Sequence, residues 1–173
     1  MPVIRFIPIP TKNHSFFKKV FIWRTQSRKF ELIEDWTVFV PGIGDVFIPA
    51  GFIFDGASIP RLLWSVLSPV GVFFIPGLVH DFAYKYSALI VIEDGKKVIV
   101  RIDRKVSDML FKQLGIRING LGIMSNVSHF FLRCFGWLPW KNHIKRGTHI
   151  LLRDGQIFKG LESLWRPIYN AVK

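Results

Sequence analysis

His80, Asp81 and Tyr84, in the apolar segment "GLVHDFAYKYS" (residues 77 to 87), are residue types that serve as a general base, as metal ligands or as a buried polar pair. In a helix opened by Pro76, His80 and Tyr84 lie four apart and share a face, while Asp81 points about 100° away. A carboxylate partner for His80 is therefore expected from another element. A helix starting after Asp103 supplies one in Asp108, with Arg104 a turn earlier on the same face. Packed antiparallel, the two helices bring His80, Tyr84, Arg104 and Asp108 within reach of one another. Two readings follow, and both stay open. In a catalytic dyad, Asp108 fixes the tautomer and the other nitrogen of His80 activates a water. In a structural network, the same groups satisfy each other's buried polar atoms.

A second constellation precedes it in "GFIFDGASIPRLLW". Asp55-Gly56 signals a turn, and Asp55 with Ser58 can satisfy free amides at the start of the following helix. This segment reads either as a strand-to-helix corner or as a ligand loop. In the second case Asp81 and Asp55, with backbone carbonyls, would form a site for calcium, which favours oxygen ligands. The single cysteine and the scattered His14, His80, His129, His143 and His149 fit no zinc spacing, and no phosphate-binding glycine loop is present.

These side chains need a scaffold. The first third alternates β-branched and aromatic runs with turn residues: "VIRFIPI", "KVFIWRT", "KFELIED", "WTVFV" and "DVFIPAGFIF". From Ser58 onward the pattern is helical, through "RLLWSVL" and then "PGLVHDFAYKYSA". "LIVIEDGKKVIVRI" predicts a β-hairpin turning on Asp94-Gly95, and Asp103 predicts the cap of a helix over "RKVSDMLFKQLG" that stops at Gly115. A further apolar helix is expected over "IMSNVSHFFLRCFG". Beyond it come an irregular aromatic stretch, "WLPWKNHIKRG", an Asp-Gly hairpin in "HILLRDGQIF" and a short helical "LESLWRPIYNAV". The fold class is α+β: a small N-terminal antiparallel sheet, a helix–hairpin–helix core and a C-terminal helical and hairpin extension.

With 173 residues, half of them hydrophobic, the chain has the size of one domain. The run Leu62 to Val79 is uncharged, but Pro69 and Pro76 break it, which favours two buried helices over a membrane span. One cysteine and no signal-type start point to synthesis in a reducing cytosol. The net charge of +12 is unevenly placed. Residues 1–31 carry seven Lys or Arg against Glu31, and residues 133–173 carry eight against Asp154 and Glu162. Residues 32–132 hold nine of each sign. The expected organisation is thus a basic N-terminal arm (1–31), a neutral α+β core (32–132) and a basic aromatic extension (133–173), with the ends docking onto something anionic.

"VFIPAGFIFDGASIPRLLW", "HDFAY" and "RKVSDMLF", in this order and spacing, resemble the domain-of-unknown-function family 1353 of tailed phages and prophages. The resemblance covers about residues 46 to 115. It implies a phage or prophage context. Together with the basic aromatic ends, that context leads to the expectation of a virion-associated protein of the tail or ejection apparatus, made in the bacterial host cytoplasm and held in an oligomeric assembly with other virion proteins. At the level of arrangement, the HDxxY helix, hairpin and Asp-bearing helix are also similar to the phospholipase A2 core. That similarity implies His80 as base, Asp81 on calcium, Asp108 supporting His80, and Tyr84 as the supporting tyrosine. The glycine-rich calcium loop and the disulfide framework of those enzymes are absent from the sequence. The alternative expectation is accordingly a cell-envelope hydrolase, phospholipase A2-like or peptidoglycan-directed. A third is nucleic-acid binding, and an anionic membrane surface is a further candidate partner for the basic ends.

Overall fold

A computed structural model describes residues 1–7, 15, 17, 29–55, 73–120, 122–146 and 166–167. Ser58, the "KVFIWRT" strand, the first helix after Ser58 and the "HILLRDGQIF" hairpin lie outside the described residues. The fold is α+β, with antiparallel strands first and helices after them.

Two sheets form. In the first, β1 (Ile4–Ile7) pairs antiparallel with β2 (Lys29–Leu32), which pairs in turn with β5 (Ile53–Phe54). The second contains β3 (Trp36–Val40), β4 (Gly44–Ile48), β6 (Ala88–Glu93), β7 (Lys96–Arg101) and β8 (Arg166–Pro167), in that spatial order. The run "DVFIPAGFIF", expected as one strand, divides between the two sheets. Pro49 has no N–H for the ladder, and Gly51, at φ 79°, turns the chain before Phe52 resumes pairing with Leu32.

The hairpin forms on Asp94-Gly95 as expected, with φ of 50° and 74°, the positive values a type I′ turn requires. It does not stand apart from the N-terminal strands. β6 also pairs with β4, Val46 opposite Val91, so the insertion between the helices completes the larger sheet. Its strands bury Leu89, Ile90, Val91, Val98, Ile99 and Val100.

Helix α1 spans Phe74–Tyr86, and Pro76 sits in its first turn, where no N–H is missed. Its apolar face carries Leu78, Val79, Phe82 and Ala83 into a core shared with Phe30, Leu32, Val46, Ile48 and Phe54. Burying each large side chain of this cluster contributes about 2 kcal/mol. Ser87, in the left-handed conformation at φ 51°, ends the helix and donates its N–H to the Ala83 carbonyl.

Helix α2 spans Arg104–Asn119, capped by Asp103, whose carboxylate accepts from the Val106 N–H at 2.8 Å. Gly115 does not stop it. That residue lies inside the helix where α3 (Gly122–Phe135) crosses closely, and a Cβ placed there would meet Ser125 Oγ at 2.6 Å and Phe73 at 3.1 Å. Gly120, at φ 66°, is the true stop. The stretch "WLPWKNHIKRG", expected to be irregular, forms α4 (Trp137–Lys145). Pro139 falls in its first turn, so this proline opens a helix and does not exclude one. At Arg166–Pro167, expected within a helical tail, the chain instead pairs parallel to β7. Proline turns its preceding residue away from the helical region and is tolerated at such a sheet edge.

Candidate functional site

The site is built on the helix pair that flanks the hairpin. α1 and α2 pack against each other, placing His80 and Tyr84 opposite Asp108. Asp108 is fully buried, yet it is an anion, so its cost depends on the donors around it. His80 Nε2 lies 3.3 Å from Oδ1, and the Tyr84 hydroxyl donates to the same oxygen. On Oδ2, Arg104 Nη1 donates at 3.3 Å and Arg133 Nη1 at 3.4 Å. Four donors from three helices therefore converge on one carboxylate. Arg104 also donates to the Leu132 and Arg133 carbonyls, each at 3.3 Å, tying α2 to the last turn of α3.

The four residues expected to meet do meet. Arg133 was missed, because its charge was grouped with the basic C-terminal extension. The division expected between 132 and 133 in fact falls inside α3, and Arg133 reaches back into the core. No local pattern marks Arg133, since its partner lies 25 residues away on another helix. Gly136 completes the wall. A Cβ there would collide with the Tyr84 hydroxyl and lie 2.5 Å from the Leu132 carbonyl oxygen, so only glycine lets the chain pass.

Asp81, expected to point elsewhere, does so only in part. Its carboxyl faces Asp55, but its Oδ1 also lies 3.8 Å from His80 Nδ1, an ion-pair distance beyond hydrogen-bond length. His80 is thus flanked at both ring nitrogens by carboxylates. Its ring stacks 4.0 Å from that of Tyr84 and meets Phe111 edge-on at 5.5 Å.

The titration behaviour follows from these contacts. Burial alone would make His80 release its proton, but Asp108 and Asp81 outweigh burial, and the imidazole holds the proton more tightly than a free one. Burial likewise opposes the charge on Asp108, and the hydrogen bonds from His80 and Tyr84, with the charges of His80 and Arg104, reverse that and hold its carboxyl below the usual range. Burial pushes the Tyr84 hydroxyl up, and the adjacent Asp108 anion pushes it further. Among the described residues, Asp81 has no such set of donors. Burial raises it to about 7, against the pull of His80 and with added repulsion from Asp55. Its Oδ2 is buried without a hydrogen-bond partner among the described residues.

A calcium ion would need at least six oxygens. Asp81 and Asp55 offer two carboxylates, and among the described residues no group of three or more His, Cys, Asp or Glu is placed to hold a metal. The described part of the site does not make a calcium cage.

Residues 30–120, more than half of the chain, match the model of a family described as protein of unknown function (DUF1353). The chain belongs to this family. No curated protein and no solved structure matches it. The DUF1353 segment contains Asp55, His80, Asp81, Tyr84, Arg104 and Asp108, and it ends at the C-terminus of α2. Arg133 and Gly136, which close the site from α3 and the turn after it, lie outside that segment.

Proposed function

We propose that this DUF1353 chain is a structural component of a phage or prophage particle, in the tail or ejection apparatus. On this reading the Asp108 network braces the fold, and the basic, aromatic surface docks onto neighbouring virion proteins in an oligomeric assembly. The observation that carries the structural reading is the environment of His80. A general base needs a neutral imidazole with one nitrogen open to the reacting water. His80 is 6% exposed and is faced by a carboxylate at each nitrogen, so neither nitrogen is open to a reacting water, which suits a brace. The phage context rests on the motif resemblance. Mass spectrometry of purified particles tests it, with the chain expected at stoichiometric abundance among tail proteins. Its absence from particles, together with a recombinant chain that stays monomeric and fails to associate with them, overturns the proposal.

The alternative, a cell-envelope hydrolase, draws its support from the 3.3 Å contact between His80 and Asp108, the geometry of an oriented base. His80→Gln separates the two readings. Unchanged release of lipid and peptidoglycan fragments, with or without added calcium, ends the catalytic reading. A folded variant that has lost such activity establishes it. Nucleic-acid binding is the third reading, supported by the net charge of +12, and it requires affinity that falls steeply with salt.

A further inference from the structure

Helix α3 packs inward through Met124 and Leu132, which lie against Phe73 and Phe111, and through two serines. Its fully buried side chains are Ser125 and Ser128, small groups that let it approach α2 at Gly115. Its outward row is apolar: Ile123 is 79% exposed, Val127 38% and Phe130 63%, and Cys134 is exposed as well. Spaced i, i+4, i+7 and i+11, these residues form one stripe along the helix. An apolar stripe of this kind normally faces a core, and here it faces outward.

Further exposed apolar side chains follow at the end of α3 and the start of α4, where Phe135, Trp137 and Leu138 are exposed at 62%, 48% and 54%. Along this part of the chain the charge has one sign. Between residues 109 and 146 there are six Lys or Arg and no Asp or Glu. Lys141, Lys145 and Arg146 are exposed on α4 and at its end, and the Lys141 ammonium lies 5.3 Å from the centre of the Trp137 ring.

We propose that the outward face of α3 and the start of α4 is a docking surface for an anionic membrane. Three features select this occupant. An aliphatic row offers a phosphodiester backbone nothing, so nucleic acid would leave Ile123 and Val127 unused. Exposed Trp and Phe beside lysines is the composition of helices that lie in the headgroup region, with the apolar face inserted and the cations at the phosphates. And no described helix is long and apolar enough to cross a bilayer, so the contact is at the surface. The inference goes beyond the particle reading and does not depend on it: it assigns this face to a membrane and leaves contacts with virion proteins to the rest of the basic surface.

The test is flotation of the purified full chain with vesicles of phosphatidylcholine alone or of phosphatidylcholine with phosphatidylglycerol. Binding is expected to the anionic vesicles and to weaken with salt. Phe130→Asp is expected to lower it roughly tenfold or more, because a charge replaces an inserted ring. The paired reversals Lys141→Glu and Lys145→Glu should lower it roughly fivefold or more per site. All three positions are exposed, so far-ultraviolet circular dichroism and the melting temperature should match the parent chain. Equal flotation of the Phe130→Asp variant and the parent overturns the proposal. So does failure to float with anionic vesicles while binding a short DNA duplex, which would assign the surface to nucleic acid, or while binding purified tail proteins, which would assign it to the assembly.

Discussion

Asp81 is the residue at which the site can be made to report on itself. In the unfolded chain its carboxyl has the ordinary value of 3.8, and burial in the fold raises it to about 7. Between those values the folded state holds one proton more than the unfolded state, so stability falls as pH rises through the window. Each pH unit across it costs about 1.4 kcal/mol, which sets a ceiling of about 4 kcal/mol on the loss by pH 8. His80, whose folded value is raised, acts in the same direction: its contribution is complete below its unfolded value of 6.5 and is lost as pH rises through the folded value. Asp108, whose value is lowered, acts in the opposite sense, and its contribution is lost only as pH falls below the ordinary carboxylate range. Asp81→Asn removes the charge, keeps the shape and leaves an amide able to donate to Asp55. The variant should gain up to about 4 kcal/mol at pH 8 and less than about 1 kcal/mol at pH 4. Urea unfolding followed by tryptophan fluorescence at pH 4, 6 and 8 measures both. An equal gain at all three values, or a loss at pH 8, would show that Asp81 carries its charge comfortably in the fold and refute the reasoning.

Tyr84→Phe removes one of four donors from a buried anion and should cost about 1–3 kcal/mol, read as a lower urea midpoint without a change of slope. Gly136→Ala drives a methyl group into the Tyr84 hydroxyl and the Leu132 carbonyl and should cost about 1–3 kcal/mol, whereas alanine at the solvent-facing Asn126 of α3 should change stability by less than about 0.5 kcal/mol in the same assay. Gly115→Ala presses α3 away from α2, and hydrogen exchange should show faster opening of α3 than of α1. Arg133→Gln, which withdraws a cation from Oδ2, should destabilise by about 1–2 kcal/mol even though Arg133 lies beyond the matched family segment.

What could be read from the sequence divides by the range of the interaction. The Asp94-Gly95 turn, the Asp103 cap and the shared face of His80 and Tyr84 depend on a few neighbouring residues, and each is in place. The approach of Asp108 to His80 spans 28 residues but follows from two helical periods and a hairpin that returns the chain. Arg133 follows from neither, because nothing local distinguishes a lysine or arginine that faces solvent from one that turns back to a buried anion. Gly115 and the "WLPWKNHIKRG" stretch differ from expectation for another reason. Glycine serves both as a stop and as the site of a close helix crossing, and proline both breaks a helix and opens one, so the residue type alone cannot separate these uses. The 100° offset between His80 and Asp81 was a sound guide to backbone direction, but it understated how far a carboxylate can lean toward the neighbouring ring.

The hairpin between α1 and α2 has a practical consequence for anyone studying this protein. Its base is held by six strand pairs from Ala88↔Arg101 to Glu93↔Lys96, and β6 is pinned on its other side by β4. Its tip, Asp94-Gly95, is exposed, and a Cβ at Gly95 would meet nothing within 4 Å. Everything that orients the helices lies below the tip, so added length there extends outward and leaves their spacing alone. The turn is therefore a place to insert an epitope or a fluorophore. A label there would follow the chain into particles or onto vesicles while the Asp108 junction stays as it was built.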